Sequence, residues 1–264
     1  MPPSEQRDLP AQRRRRLLEL VVERGSVRVE EMSALFEVTG ETIRRDLIWL
    51  EEQGQLQRSH GGAVTSQLTE TTYENRLHEH EARKFAIAQH AKTLVHSGST
   101  ILVDSGTTTR YLAREIAGID SLTVITNALT TALEFMGNEA ITVVSTGGTI
   151  RTATLGAVGS IAESTLDSIR VDHVFLATHG FSAEFGLTYP DFSEAAVKKA
   201  MIRSGREVTL LADSSKWGRD SLVKVAALTA VDRIITDSGL PDDGIAEIGA
   251  LGVELIVVPT PEES

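Results

Sequence analysis

Residues 100–117 read TILVDSGTTTRYLAREIA: a β-branched apolar run, a Ser-Gly-Thr turn, then a helical run. The same alternation recurs on both sides. Apolar runs stand at 122–126 (LTVIT), 141–145 (ITVVS), 173–177 (HVFLA), 207–212 (EVTLLA), 233–236 (RIIT) and 254–258 (ELIVV), with helical stretches between them. Buried β-branched runs separated by helices predict a mainly parallel sheet covered on both faces, hence an α/β domain over residues 80–264.

The turn carries chemistry. Asp104, Ser105, Gly106, Thr107, Thr108 and Thr109 place N–H groups and hydroxyls at a helix N-terminus, where an anion is favoured. An ordinary βα turn with a threonine cap is the structural alternative. Thr126 and Asn127 end the next strand, and Gly147 and Gly148 follow the one after. Ligands in open parallel sheets gather at the carboxyl ends of strands. Asp213 and Lys216 follow the run at 207–212, where a lysine can neutralise a phosphate or sit in a solvated loop. Glu194 and Lys198 have the i,i+4 spacing of a surface salt bridge; the other reading is that Asp104, Asn127, Glu194 and Lys198 or Lys216 recognise a ligand's hydroxyls and charge.

The chain has 264 residues and 41% apolar content, enough for a core. It has no cysteine, which excludes disulfides, thiolate zinc and a cysteine nucleophile. No apolar run approaches the ~18 residues that span a bilayer, and the N-terminus lacks the apolar region and cleavage site of a signal peptide. A cytoplasmic protein is expected, with no membrane partner, no metal and no cofactor. The net charge of −11 is unevenly spread: residues 1–64 hold 10 Lys+Arg and 11 Asp+Glu, leaving 16 and 26 for the remainder. The acidity belongs to the second part, and a near-neutral first part binds DNA if its arginines share a face.

That first part, residues 12–64, reads as three helices. Residues 12–24 carry Leu17, Leu20 and Val21 on one side. Residues 29–37 carry Val29, Met32, Leu35 and Phe36 toward one core. After a turn at 38–40, with Thr39 as N-cap, residues 41–52 (ETIRRDLIWLEE) place Ile43, Leu47 and Leu50 on one face and Arg45 opposite it, with Arg44 and Thr42 flanking. An arginine pointing away from the core of a helix that follows a tight turn suits the major groove. A solvated charged face is the alternative. Asp46 is read as orienting an arginine. Trp49 turns partly outward, to pack beneath a wing or at a subunit contact. The arginine run 13–16 contacts phosphates or is solvated. Residues 65–79 are polar without an apolar period and read as a linker.

The order Thr42-Ile43-Arg44-Arg45-Asp46-Leu47, Leu50-Glu51, Gly54-Gln55-Leu56, Arg58 and His60-Gly61-Gly62-Ala63 resembles the DeoR family of bacterial transcription regulators. The resemblance implies a winged helix-turn-helix, with residues 41–52 as recognition helix and Gln55–Ala63 as wing, and Arg58, His60 and Gly61 near the phosphate backbone. Thr39 stands where the family commonly has serine; both cap. From about Arg76 to Val258 the chain is similar to the family's effector domain. Lys84, Asp104-Ser105-Gly106-Thr107-Thr108, Val124–Asn127, Gly147-Gly148, Glu194-Ala195, Lys198, Asp213–Lys216 and Thr236-Asp237 carry that match. His179 departs from the small residue expected before Gly180.

The resemblance implies a ribose-5-phosphate-isomerase-like fold that binds a phosphorylated sugar or related metabolite and relieves repression of carbohydrate-metabolism genes without catalysing a reaction. The expected partners are a double-stranded DNA operator, a phosphorylated effector and further copies of the chain, as a homodimer or homotetramer. The competing readings are a sugar-phosphate isomerase with an appended DNA-binding domain, and a constitutive DNA binder whose second domain only oligomerises.

Overall fold

A computed structural model describes residues 10–24, 26–52, 56–59, 61–64 and 73–260. The chain divides into two compact units, 1–71 and 72–264.

In the first unit the helices span Pro10–Arg24, Val29–Leu35 and Gly40–Glu52. Leu17, Val21, Met32, Ile43, Leu47 and Leu50 close a core that also takes Val27, Leu56 and Ala63. The Thr42 N–H donates to Thr39 Oγ1 at 3.2 Å, so Thr39 caps the third helix. Two features differ from the sequence reading. Leu35 is 48% exposed, because the second helix ends there and Glu37 turns the chain at φ 51°. Ser26–Arg28 is a strand that pairs with Gly62–Val64, which pairs in turn with Gln57–Ser59. The wing is therefore three-stranded. A Cβ on Gly62 would lie 2.0 Å from the Val27 carbonyl oxygen, so only glycine permits that close pairing. Gly25, Gly54, Gln55, His60 and residues 65–72 lie outside the described residues.

In the second unit all seven expected strands form one parallel sheet, in the order Glu254–Val258, Arg233–Asp237, Gly205–Leu211, Val171–Leu176, Thr100–Val103, Leu122–Thr126, Ile141–Ser145. Successive side chains alternate between two cores. Ile101 and Val103 pack with Ile87, Tyr111, Leu112 and Ile116 from the helices Glu81–Lys92 and Thr107–Ile116. Leu102 packs on the other face with Leu166, Val197 and Met201 from Ser160–Asp167 and Phe192–Ser204. From Thr100–Val103 the chain runs outward through Leu122–Thr126 to Ile141–Ser145, then returns to place Val171–Leu176 on the other side. The order reverses between Thr100–Val103 and Val171–Leu176, and the crevice at such a switch point is where α/β sheets bind ligands.

The linker expected over 65–79 is helical at its end. Tyr73–His78 is a helix, with Tyr73 buried and its hydroxyl donating to Thr130 Oγ1 at 3.1 Å. A six-residue helix does not stand alone in water. Contacts with the second unit hold it, and the local apolar period does not announce them.

Candidate functional site

At the switch point a pocket opens at the carboxyl ends of the central strands. Ser105, Gly106, Thr107 and Thr108 form one wall, Ala177, Thr178 and His179 another, and Ala212, Asp213 and Lys216 a third. Tyr73, Arg76, Glu79, His80, Lys84, Thr154, Tyr189 and Leu211 complete it. Among the described residues no protein acceptor meets the N–H groups of Gly106, Thr107 or Thr108, which start a ten-residue helix. Gly106 sits so close to the neighbouring strand end that a Cβ would lie 2.5 Å from that of Ala177. The loop can therefore approach an anion with backbone alone.

Several expected residues support this loop from behind. Asp104 is fully buried. Its carboxylate accepts from the Ser105 N–H at 2.7 Å, from the Ala177 N–H at 2.9 Å across the switch point, and from Lys198 Nζ. Asn127 Oδ1 accepts from the Ser105 N–H at 2.9 Å, and its amide donates to Ala157 O at 3.2 Å. Thr109 Oγ1 donates to Asp104 O at 2.7 Å, and Thr126 Oγ1 to Val103 O at 2.7 Å. Gly147 and Gly148 take positive φ where the chain turns into the hairpin Thr149–Arg151/Gly156–Val158. None of these six residues lines the pocket.

Glu194 and Lys198, expected to read the effector or else to form a surface pair, are both buried, and neither lines the pocket. Glu194 meets Arg151 at 2.9 Å and accepts from Thr154 Oγ1. Lys198 Nζ lies 4.2 Å from the Tyr189 ring centroid. Burial opposes the Lys198 charge, but Asp104, Tyr189 and Glu194 outweigh it and hold its pKa above the ordinary lysine value.

The pocket is cationic. Burial pulls Lys84 down to about 8, with Asp213 opposing and Lys216 and Arg76 reinforcing. Burial likewise lowers Lys216, against the pull of Asp213. His179 is pushed down to about 3 by burial and the cations Lys216, Arg76 and Arg219, so it is a neutral wall. Burial opposes the Asp213 charge, but Lys216 and the Ser215 hydroxyl hold its pKa below the ordinary value. Beneath it, Asp237 accepts from the Ser214 N–H at 2.7 Å and hydroxyl at 2.8 Å, fixing the 213–216 turn as Asp104 fixes the 177 turn. Sequence reasoning missed Tyr73, Arg76, Glu79, His80, Thr154, Thr178 and Tyr189 as pocket residues. Only Tyr73, a lone aromatic in a polar stretch, signalled a packed segment.

In the first unit Arg44 and Arg45 point outward, 60% and 76% exposed at the side chain, and each lies within 3.8 Å of Glu41. Asp46 is buried and accepts from Arg13 Nε at 2.6 Å and Arg14 Nε at 2.8 Å. The Arg14 guanidinium also lies 4.6 Å from the Trp49 ring centroid. The arginine run is thus neither wholly solvated nor wholly spare: two of its members tie the first helix to the third. Arg58 is half exposed and meets Glu51 at 2.5 Å; its backbone N–H also donates to Glu51 at 3.0 Å. These bonds hold the Glu51 carboxyl below its ordinary pKa.

Three outward arginines on a helix and a wing, beside a separate unit with a cationic switch-point pocket, define a DNA-binding protein with a sensor. Residues 13–69 match the DeoR-like helix-turn-helix domain and residues 79–238 the DeoR C-terminal sensor domain. The chain belongs to the DeoR family of transcription regulators. It is 40% identical to an uncharacterised HTH-type transcriptional regulator, YulB, of Bacillus subtilis, over 95% of this chain and 98% of that one. It is 39% identical to the HTH-type transcriptional regulator GlpR of Haloferax volcanii, over 94% and 98%. It is 32% identical to the glycerol-3-phosphate regulon repressor of Escherichia coli K12, over 87% and 92%. A ribose 5-phosphate isomerase A from Methanocaldococcus jannaschii shares 20% identity over 51% of this chain and 53% of that one, with a TM-score of 0.38. No described helix is long and apolar enough to cross a membrane.

Proposed function

We propose that this protein is a cytoplasmic repressor of carbohydrate-metabolism genes whose hold on DNA is relieved by a phosphorylated sugar or related metabolite. The observation that carries the reading is the Ser105–Thr108 loop: its Gly106, Thr107 and Thr108 N–H groups, open among the described residues, share a pocket with Arg76, Lys84 and Lys216. Dipole, N–H donors and cations converge on one spot, which favours a phosphate dianion. The Escherichia coli relative named as a regulon repressor supports the direction of control.

A binding role rather than isomerisation is supported by how Asp104, Glu194 and Asp213 are used. A general base must reach a substrate proton. Asp104 is committed to Lys198 and two N–H groups, and Glu194 to Arg151 and Thr154. Asp213, which lines the pocket, is held below its ordinary pKa and is a weak base.

In the DNA-binding unit, Arg44, Arg45 and Thr42 read the major groove, while Arg58, His60 and Gly61 of the wing meet the backbone. Operator symmetry calls for a homodimer or homotetramer. A thermal-shift panel of sugar phosphates against the matching free sugars tests the ligand class, because a ligand that binds only the folded state raises the melting temperature. Stabilisation by phosphorylated members alone is expected; equal stabilisation by the free sugars overturns the reading.

A further inference from the structure

Five pocket residues, Tyr73, Arg76, Glu79, His80 and Lys84, come from the first twelve described residues of the sensor unit. They are the part of the pocket nearest in chain to the DNA-binding unit, which ends at Thr71. Their side chains bind two ways. Outward from the pocket, Tyr73 bonds Thr130 and an Arg76 Nη donates to Ala153 O at 2.5 Å. Inward, Lys84 Nζ donates to the Arg76 carbonyl, near the end of the helix Tyr73–His78. Arg76 Nε is buried and meets no acceptor among the described residues. A buried guanidinium N–H without an acceptor costs free energy, and the pocket that Arg76 lines already gathers donors for an anion.

We propose that Arg76 is the second anchor for the anion held on the Ser105–Thr108 loop, so that occupancy of the pocket fixes the helix Tyr73–His78. The inference rests on the ligand reading above and names its means of regulation. A phosphate oxygen reached by Arg76 Nε supplies the missing acceptor. Its charge also sits beside Lys84, whose hold on the Arg76 carbonyl keeps that helix in place. The ligand thus touches the segment through which the chain continues to the DNA-binding unit, and no separate relay between the units is required. A ligand shifts an equilibrium only by contacts that differ between states, and the helix Tyr73–His78 supplies such contacts.

Hydrogen exchange on the full chain, read separately over 73–84 and 106–108, tests the proposal with inorganic phosphate as probe and chloride at equal ionic strength as control. Opening that requires release of the ligand slows by about tenfold at ten times the dissociation constant. Wild type is expected to show that slowing in both segments. Arg76→Gln is expected to keep it over 106–108 and lose it over 73–84. Retained slowing over 106–108 also shows that the variant is folded. If Arg76→Gln loses slowing in both segments, Arg76→Lys decides: restored slowing over 106–108 without 73–84 supports the proposal, and any other pattern overturns it. Slowing over 106–108 alone in wild type overturns the inference and leaves the ligand reading standing. Slowing over 73–84 that survives Arg76→Gln also overturns it. No slowing in either segment of wild type overturns both.

Discussion

Lys198 donates to the carboxylate of Asp104 beneath the switch point, and both are buried, 2% and 0% exposed. The same carboxylate takes the N–H groups of Ser105 and Ala177, which stand at the ends of two adjacent strands. One buried ion pair therefore fixes both lips of the pocket. Asp104→Asn puts a neutral amide where the buried Lys198 charge has its ion-pair partner. Removing one partner of a buried pair costs about 3–5 kcal/mol. Urea unfolding of the variant is expected to show a loss in that range. A loss under about 1 kcal/mol, the scale of an exposed pair, contradicts the account of this contact.

Lys84 gives the pocket a pH dependence. Its pKa lies near 8, pushed down by burial and by Lys216 and Arg76, with Asp213 and Glu79 opposing. A depressed lysine pKa means the unfolded state holds more protons between about 8 and the ordinary value of 10.5, so stability from this group rises with pH in that window. Anion binding has the opposite sign, because it favours the protonated lysine. Calorimetric titration of phosphate between pH 7 and 9.5 is expected to show affinity falling as pH passes 8. In Lys84→Met that fall should be reduced. An unchanged profile in the variant removes Lys84 from the ligand's surroundings.

Asp46 holds Arg13 and Arg14, and so the first helix against the third. Asp46→Ala removes the buried carboxylate that Arg13, 10% exposed at the side chain, shares with Arg14. The DNA-binding unit is expected to lose about 3 kcal/mol or more, seen as faster exchange over residues 10–64 with exchange over 80–260 unchanged. Equal loss in both units contradicts a local role.

The seven strands and the third helix were legible because their patterns are local: β-branched runs, and apolar residues at helical spacing. The three-residue strand Ser26–Arg28 exists only through its pairing with Gly62–Val64, and the six-residue helix Tyr73–His78 only through contacts such as Tyr73 with Thr130. Neither has a local signal long enough to read. The pocket was half legible for a related reason. A strand end tells where a side chain starts, not which way it turns. Asp104, Asn127 and Thr126 all stand at strand ends, and all turn inward to hold the loop. Thr154 reaches the pocket from a hairpin turn with no strand end of its own.

In the proposed DNA-binding role, Arg45 and Arg58 are expected to make two different kinds of DNA contact. Arg45→Ala is expected to cost about 1–3 kcal/mol on the preferred site and to relax discrimination at one base pair. Arg58, already paired with Glu51, is expected to act on the backbone. Arg58→Ala then weakens binding on every sequence alike and lowers the salt slope by about 1. Identical sequence profiles for the two variants contradict the assignment of helix and wing.

The central claim is that a phosphorylated metabolite in the switch-point pocket loosens the grip on DNA. Its most direct test is the affinity of the full chain for an operator selected from random DNA, measured by anisotropy at fixed salt across a panel of sugar phosphates and their free sugars. At least one phosphorylated compound is predicted to weaken binding about tenfold or more, a coupling of about 1.4 kcal/mol, while its free sugar has no effect and Gly106→Ala abolishes the response. A DNA affinity that no phosphorylated compound changes, or that free sugars change equally, contradicts the claim.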